Sequence, residues 1–197
     1  MLRPLTNAYP SRYGAPVLTH VETAIFTARY FTRCMSCDFC GDACCRYGVD
    51  VDVDNVRRLE ARRDEIEAFT GVPRSAWFTD EIEPDVDHPG GVGYRTAADE
   101  RGCVFLDRAG RGCMLHKLAV SKGLDYHELK PMVSALFPLT FGGGALTIAD
   151  EVEDRTLVCL DVGGTVYRGG REELVYYFGD GLVAELDALE ASLTERL

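Results

Sequence analysis

Five of the eight cysteines fall within twelve residues: Cys34, Cys37, Cys40, Cys44 and Cys45, in the run C-M-S-C-D-F-C-G-D-A-C-C. A hydrophobic core has no need of that density of sulfur, since one or two buried thiols pack like any small apolar group. The spacing C-x2-C-x2-C-x3-C, followed at once by another Cys, instead gathers several thiolates around one point. A soft metal ion or an iron–sulfur cluster requires that arrangement.

No apolar run approaches the roughly 20 residues that a membrane helix needs, and Met1–Pro10 lacks the apolar stretch of a secretory signal. The expected location is therefore cytoplasmic, where thiols stay reduced and a cysteine cluster points to metal rather than to a disulfide framework. A formal net charge of −11 argues against a nucleic-acid partner. Arg57, Arg58, Arg62 and Arg63 are interleaved with Glu60, Asp64, Glu65 and Glu67, the pattern of a solvated helix face.

Residues 1–16, with Pro4, Pro10, Gly14 and Pro16, read as an N-terminal extended arm. Val17–Phe31 admits two readings, since Leu18, Val21 and Ile25 fit helical spacing while Val21, Thr23 and Ile25 alternate; its β-branched and aromatic content favours a strand. Asp52 or Asp54 is placed to cap a helix whose stripe is Val56, Leu59, Ile66 and Phe69, ended by Gly71. The acidic, Pro- and Gly-rich residues 80–93 read as a loop, and Cys103–Asp107 as a strand. Met114–Lys122 reads as a short helix, and Leu136–Phe141 with Ala145–Ala149 as a hairpin about Gly142–Gly144. A helix follows from Glu172 to Phe178, a break at Gly179–Gly181, then a stripe of Leu182, Leu186, Leu189 and Leu193. The sum is a small α+β single domain organised around a cysteine-ligated metal centre. Residues 17–170 form the metal-binding domain and residues 171–197 a C-terminal helical segment packed on it.

Outside the loop lie Cys103, Cys113, Cys159 and His116. Cys113 and His116, spaced i and i+3 in the first turn of a helix, share a face, and a C-x2-H pair commonly completes a zinc site. Cys103 alone reads equally as a core thiol, and Cys159 stands open between core and ligand. The ferredoxin-like run favours a 4Fe-4S cluster, although Cys45 replaces the proline expected after the fourth Cys and no second run exists. Eight sulfurs with His116 also suffice for Zn2+. Arg33 and Arg46 bracket the loop, where each is placed to offset thiolate charge.

These segments resemble the CxxCxxCC cysteine-cluster (YkgJ-type) family, described as zinc- or iron-chelating proteins. The likeness runs through Cys37-x2-Cys40-Gly41-x2-Cys44-Cys45, Cys103-Val-Phe105-Leu106-Asp107, Gly112-Cys113-Met-Leu-His116 and Lys130-Pro131…Phe137-Pro138, over roughly residues 30 to 140. One extra residue sits between Gly41 and Cys44, Cys34 adds a sulfur upstream, and Ser134 stands where the family places its last cysteine. Cys34 or Cys159 is the substitute the chain offers. The resemblance implies a metal- or cluster-binding role with no assigned reaction. Relatives that carry the cluster beside protein methylation suggest an alternative, a cluster-dependent enzyme modifying a peptide or small substrate; no catalytic residue follows from it. A zinc-stabilised module for a protein or peptide partner is the third reading. Asp161-Val-Gly-Gly-Thr165 looks like a phosphate loop but has only 32 residues after it, and Gly142–Gly144 lacks the Lys-Ser/Thr of a P-loop. Asp85, Asp87 and His88 read as a solvated loop.

Overall fold

The computed structural model describes residues 1–32 and 39–194. The chain is a mixed α+β protein with a C-terminal helix. It divides into two compact units, Met1–Arg33 with Leu136–Leu197 and Cys34–Ala135, the second inserted in sequence between the halves of the first. Among the described residues no helix is long and apolar enough to cross a membrane.

In the discontinuous unit, β1 (Leu2–Pro10) pairs antiparallel with β2 (Val17–Glu22), so the residues expected as an arm form the edge of a sheet. Pro4 and Pro10, which lack an N–H, are tolerated on such an edge. Leu18 and Val21 of β2 are fully buried, and the strand gives way to a 3-10 turn, Thr23–Phe26, that buries Ile25 and Phe26. Both readings of Val17–Phe31 thus capture part of the segment. Next comes β3 (Arg29–Tyr30).

The predicted hairpin is present as β9 (Leu139–Gly142) and β10 (Ala145–Ile148), with Gly143 and Gly144 at positive φ. β10 also lies parallel to β2, pairing Ala145 with His20 and Leu146 with Val21, which completes the order β1-β2-β10-β9. After a single turn, α5 (Asp150–Glu153), β11 (Leu160–Thr165) pairs with β3. The helix α6 (Val166–Thr194) starts six residues ahead of the expected Glu172 and is broken at Gly179 (φ 83°, ψ 172°), inside the predicted break. Its early start has a local cause: the Thr165 hydroxyl accepts the Arg168 N–H at 3.2 Å. Tyr167 packs edge-on against Phe26 and donates its hydroxyl proton to Asp187 Oδ1 at 2.7 Å.

In the continuous unit, β4 (Asp50–Asp52) leads into α1 (Val53–Ala61), whose N-terminus is capped by Asp52 accepting the Asn55 N–H at 2.6 Å. α2 (Arg63–Thr70) ends at Gly71 in the left-handed conformation. Val56, Leu59 and Ile66 are buried as their spacing predicts, while Phe69 is exposed. α3 (Met114–Ser121) adds Leu115, Leu118 and Ala119, and these meet Leu59, Ile66, Trp77, Phe105 and Leu129 in one core. Each fully buried large apolar side chain there contributes about 1.5–3 kcal/mol over an exposed one. The Trp77 indole N–H is satisfied by the Val72 carbonyl at 3.0 Å. α4 (Met132–Leu136) follows in sequence.

Half of residues 80–93, read as a loop, is sheet, and residues 85–91 form the turn between the strands. β5 (Phe78–Pro84) and β6 (Val92–Thr96) pair antiparallel, in the order β4-β6-β5. Asp80, Glu81 and Glu83 concealed this because β5 is an exposed edge, where charge is tolerated and discourages further pairing. Asp85 and His88, in the turn between them, bond to each other at 2.9 Å. Of the strand expected at Cys103–Asp107 only β8 (Gly102–Cys103) is regular, paired with β7 (Ala98–Asp99); Leu106 then bridges to Cys113.

Candidate metal centre

The described end of the cysteine loop is shaped by two successive left-handed residues, Gly41 (φ 59°) and Asp42 (φ 56°), before the 3-10 turn Ala43–Cys45. Glycine adopts that conformation freely and Asp is among the few others that tolerate it. Asp42 is anchored there: its buried carboxylate accepts two N–H bonds from Arg111, at 2.8 and 3.0 Å, and the Gly112 N–H at 3.3 Å. Arg111 Nη2 also donates to Cys40 Sγ at 3.1 Å, and Cys40 is buried. Cys44 and Cys45 follow with their sulfurs 3.9 Å apart.

The other end of the turn rests on β8. Gly102 has φ 108°, and a Cβ there would lie 3.1 Å from the Cys45 carbonyl and 3.4 Å from Arg46 Cα. Cys103 is buried and donates to Thr96 Oγ1 at 3.5 Å; that hydroxyl also accepts the Val49 N–H at 2.8 Å. Thr96 thus ties the chain leaving the cysteine loop to the strand pair that carries Cys103. Gly48 fits against the same residue, since a Cβ there would come 2.5 Å from the Thr96 carbonyl.

Cys113 is the N-cap residue of α3. The turn that delivers it is held by Asp107, which accepts the Ala109 and Gly110 N–H groups at 2.8 and 2.9 Å and pairs with Lys117. Lys117, helped by the Ala109 N–H, holds the Asp107 carboxyl below the usual carboxylate range. Burial pushes the Cys113 thiol above its ordinary value. The His116 and Leu115 N–H groups at the start of α3, and the Lys130 charge, oppose that, while neighbouring Cys103 adds to it. The His116 ring stacks on Tyr126 (4.4 Å), which stacks on His127 (3.9 Å). So His116 lends Cys113 its backbone N–H, and its imidazole joins an aromatic stack.

The sequence-predicted ligands are thus distributed as follows. Cys40, Cys44, Cys45, Cys103, Cys113 and His116 share the continuous unit, and Cys45, Cys103 and Cys113 adjoin one core. Cys159 belongs to the discontinuous unit, where it is buried and its carbonyl accepts the Phe31 N–H at 3.1 Å. Cys34, Cys37 and Arg33 lie outside the described residues. Cys45, Cys103 and Cys113 are free thiols. Among the described residues, no three His, Cys, Asp or Glu side chains are grouped to hold one ion. The donor chemistry, several thiols and an imidazole, suits a soft or borderline metal.

Arg46 is exposed, whereas Arg111 touches a cysteine sulfur. Sequence reasoning passed over Arg111, Asp42 and Thr96. The Asp42–Arg111 partners are 69 positions apart, and the signal was the Arg beside Gly112-Cys113 together with an Asp inside the cysteine loop. The same unit holds a cleft of about 340 Å³, with Val72, Val104, Leu106 and Met114 on its apolar wall and Asp99, Arg101, Asp107 and Arg108 among its polar residues.

Compared with protein-family models, with curated proteins and with solved structures, the chain matches none.

Proposed function

We propose that this chain is a metal-binding protein that holds an iron–sulfur cluster or zinc through cysteine thiolates. The candidates are Cys34, Cys37, Cys40, Cys44 and Cys45 of the loop, with Cys103 and Cys113 from the neighbouring segments. One observation carries the reading. Five cysteines separated by up to 73 positions in sequence (Cys40 to Cys113) belong to one compact unit, and Gly102 admits the Cys45 backbone against the strand of Cys103. Thiols gathered without metal gain little, whereas a structural zinc contributes about 10–16 kcal/mol of apparent binding free energy.

The test is iron, zinc and acid-labile sulfide analysis of anaerobically purified protein, beside the variant Cys37→Ser with Cys40→Ser. The expected result is stoichiometric metal in the parent and its loss, with much of the folded stability, in the variant. Protein that carries no metal and takes up neither iron nor zinc under reducing conditions refutes the reading.

The cleft favours a second reading, a metal-dependent enzyme acting on a peptide or small substrate, because Val104 and Met114 of its lining directly follow Cys103 and Cys113 in sequence and Leu106 bridges to Cys113. A bulky residue at Val104 should then abolish turnover and leave metal content unchanged.

A further inference from the structure

Asp42 is only 5% exposed, and a carboxylate so enclosed requires a partner. Arg111 provides a bidentate one, Nε to Oδ2 and Nη2 to Oδ1, with the Gly112 N–H on the same Oδ2. A bidentate pair fixes the plane of the guanidinium as well as the position of its charge. That plane directs Nη2 at the sulfur of Cys40, 3.1 Å away. Arg111, Asp42 and Cys40 therefore form a relay in which a buried acid sets an arginine and the arginine addresses a candidate ligand.

We infer that Arg111 is a positioning residue for the proposed centre. It donates a hydrogen bond to the Cys40 sulfur when that sulfur holds metal, withdrawing electron density from it and offsetting the negative charge of the thiolate set. The inference rests on the metal-binding reading above. Donors to ligating sulfur are a general means by which a protein tunes such centres, and removing one typically lowers metal affinity about 10- to 100-fold. A lysine keeps the charge at this position but not the planar fork that serves carboxylate and sulfur together.

The test uses the full chain, reduced and freed of metal under anaerobic conditions, then titrated with Co2+ alone. The readouts are affinity and the energy of the sulfur-to-cobalt charge-transfer absorption. Arg111→Gln should bind at least about tenfold more weakly, with the band moved to lower energy because the sulfur has lost its donor. Arg111→Lys should fall between the two, and it decides on the same readouts if circular dichroism shows that Arg111→Gln does not fold. In a Cys40→Ser background, Arg111→Gln should have no further effect on the band. Wild-type protein that gives no charge-transfer band overturns the metal reading and this inference with it. A wild-type band with unchanged affinity and band energy in Arg111→Gln overturns the inference alone. So does weaker binding with an unmoved band, which is what loss of structural support by itself would produce.

Discussion

Replacing Gly102 by Ala tests whether the cysteine turn is seated against β8. Two effects add at this position. A side chain at φ 108° is in a conformation that L-residues avoid, with a penalty of about 1–3 kcal/mol. The new Cβ would also press on the Cys45 carbonyl at 3.1 Å and the Arg46 Cα at 3.4 Å, both backbone atoms with little freedom to retreat. Overpacking of this kind typically adds about 1–3 kcal/mol. The expected destabilisation is therefore about 2–6 kcal/mol, a large part of the ~5–15 kcal/mol that holds a domain together. Gly71→Ala is the control, because Gly71 has φ 71° at the end of α2 but nothing within 4 Å of its Cβ, so it carries the conformational penalty alone. Urea unfolding of both variants, reduced and metal-free, gives the comparison. Metal uptake by Gly102→Ala should fall as well, since Cys45 must move away from Cys103. If Gly102→Ala is no less stable than Gly71→Ala and takes up metal like the parent, the seating is wrong.

Three further outcomes are expected. Burial, only partly offset by the Asn55 N–H and the Arg58 charge, raises the Asp52 carboxyl above its ordinary value. The folded state therefore holds that proton more tightly, and Asp52 withdraws stability as the pH rises from about 3.9 through its folded value. Asp52→Asn keeps a capping acceptor for the Asn55 N–H and loses the charge, so its stability relative to wild type should rise from acid to neutral pH, whereas Asp52→Ala loses the cap, about 1 kcal/mol. Chemical unfolding at several pH values checks both. Leu115→Ala removes a fully buried side chain from the core beneath Cys113 and should lower stability by about 2–5 kcal/mol in urea unfolding. Tyr167→Phe removes the donor to Asp187 and should lower the thermal midpoint by the equivalent of about 1–2 kcal/mol; an unchanged midpoint would mean that Arg171, 2.8 Å from the same carboxylate, suffices.

Local patterns in the sequence translate directly into structure. The Val56, Leu59 and Ile66 stripe, the Asp52 cap, the Gly71 stop, the glycine hairpin and the break at Gly179 all depend on neighbours within a few residues, which a sequence displays. The acidic hairpin stayed hidden because an exposed edge strand has no buried face to impose alternation. The candidate centre was legible in its residue types and not in its supports. That Asp42 faces Arg111 and that Thr96 receives Val49 are facts about residues 69 and 47 positions apart, and that Gly102 must lack a side chain is a fact about a single backbone angle. The division at residues 33 and 136 left no mark either, since no linker composition accompanies it.

That division has a temporal side. Thr19 and Gly144, whose bond helps seat β10 beside β2, are 125 positions apart, with the whole of the continuous unit between them. A ribosome delivers the N-terminal hairpin first, then every cysteine from 34 to 113, and only afterwards the strand that lets the first sheet close. The thiol-bearing segment is thus complete while the unit that flanks it in sequence is still half synthesised.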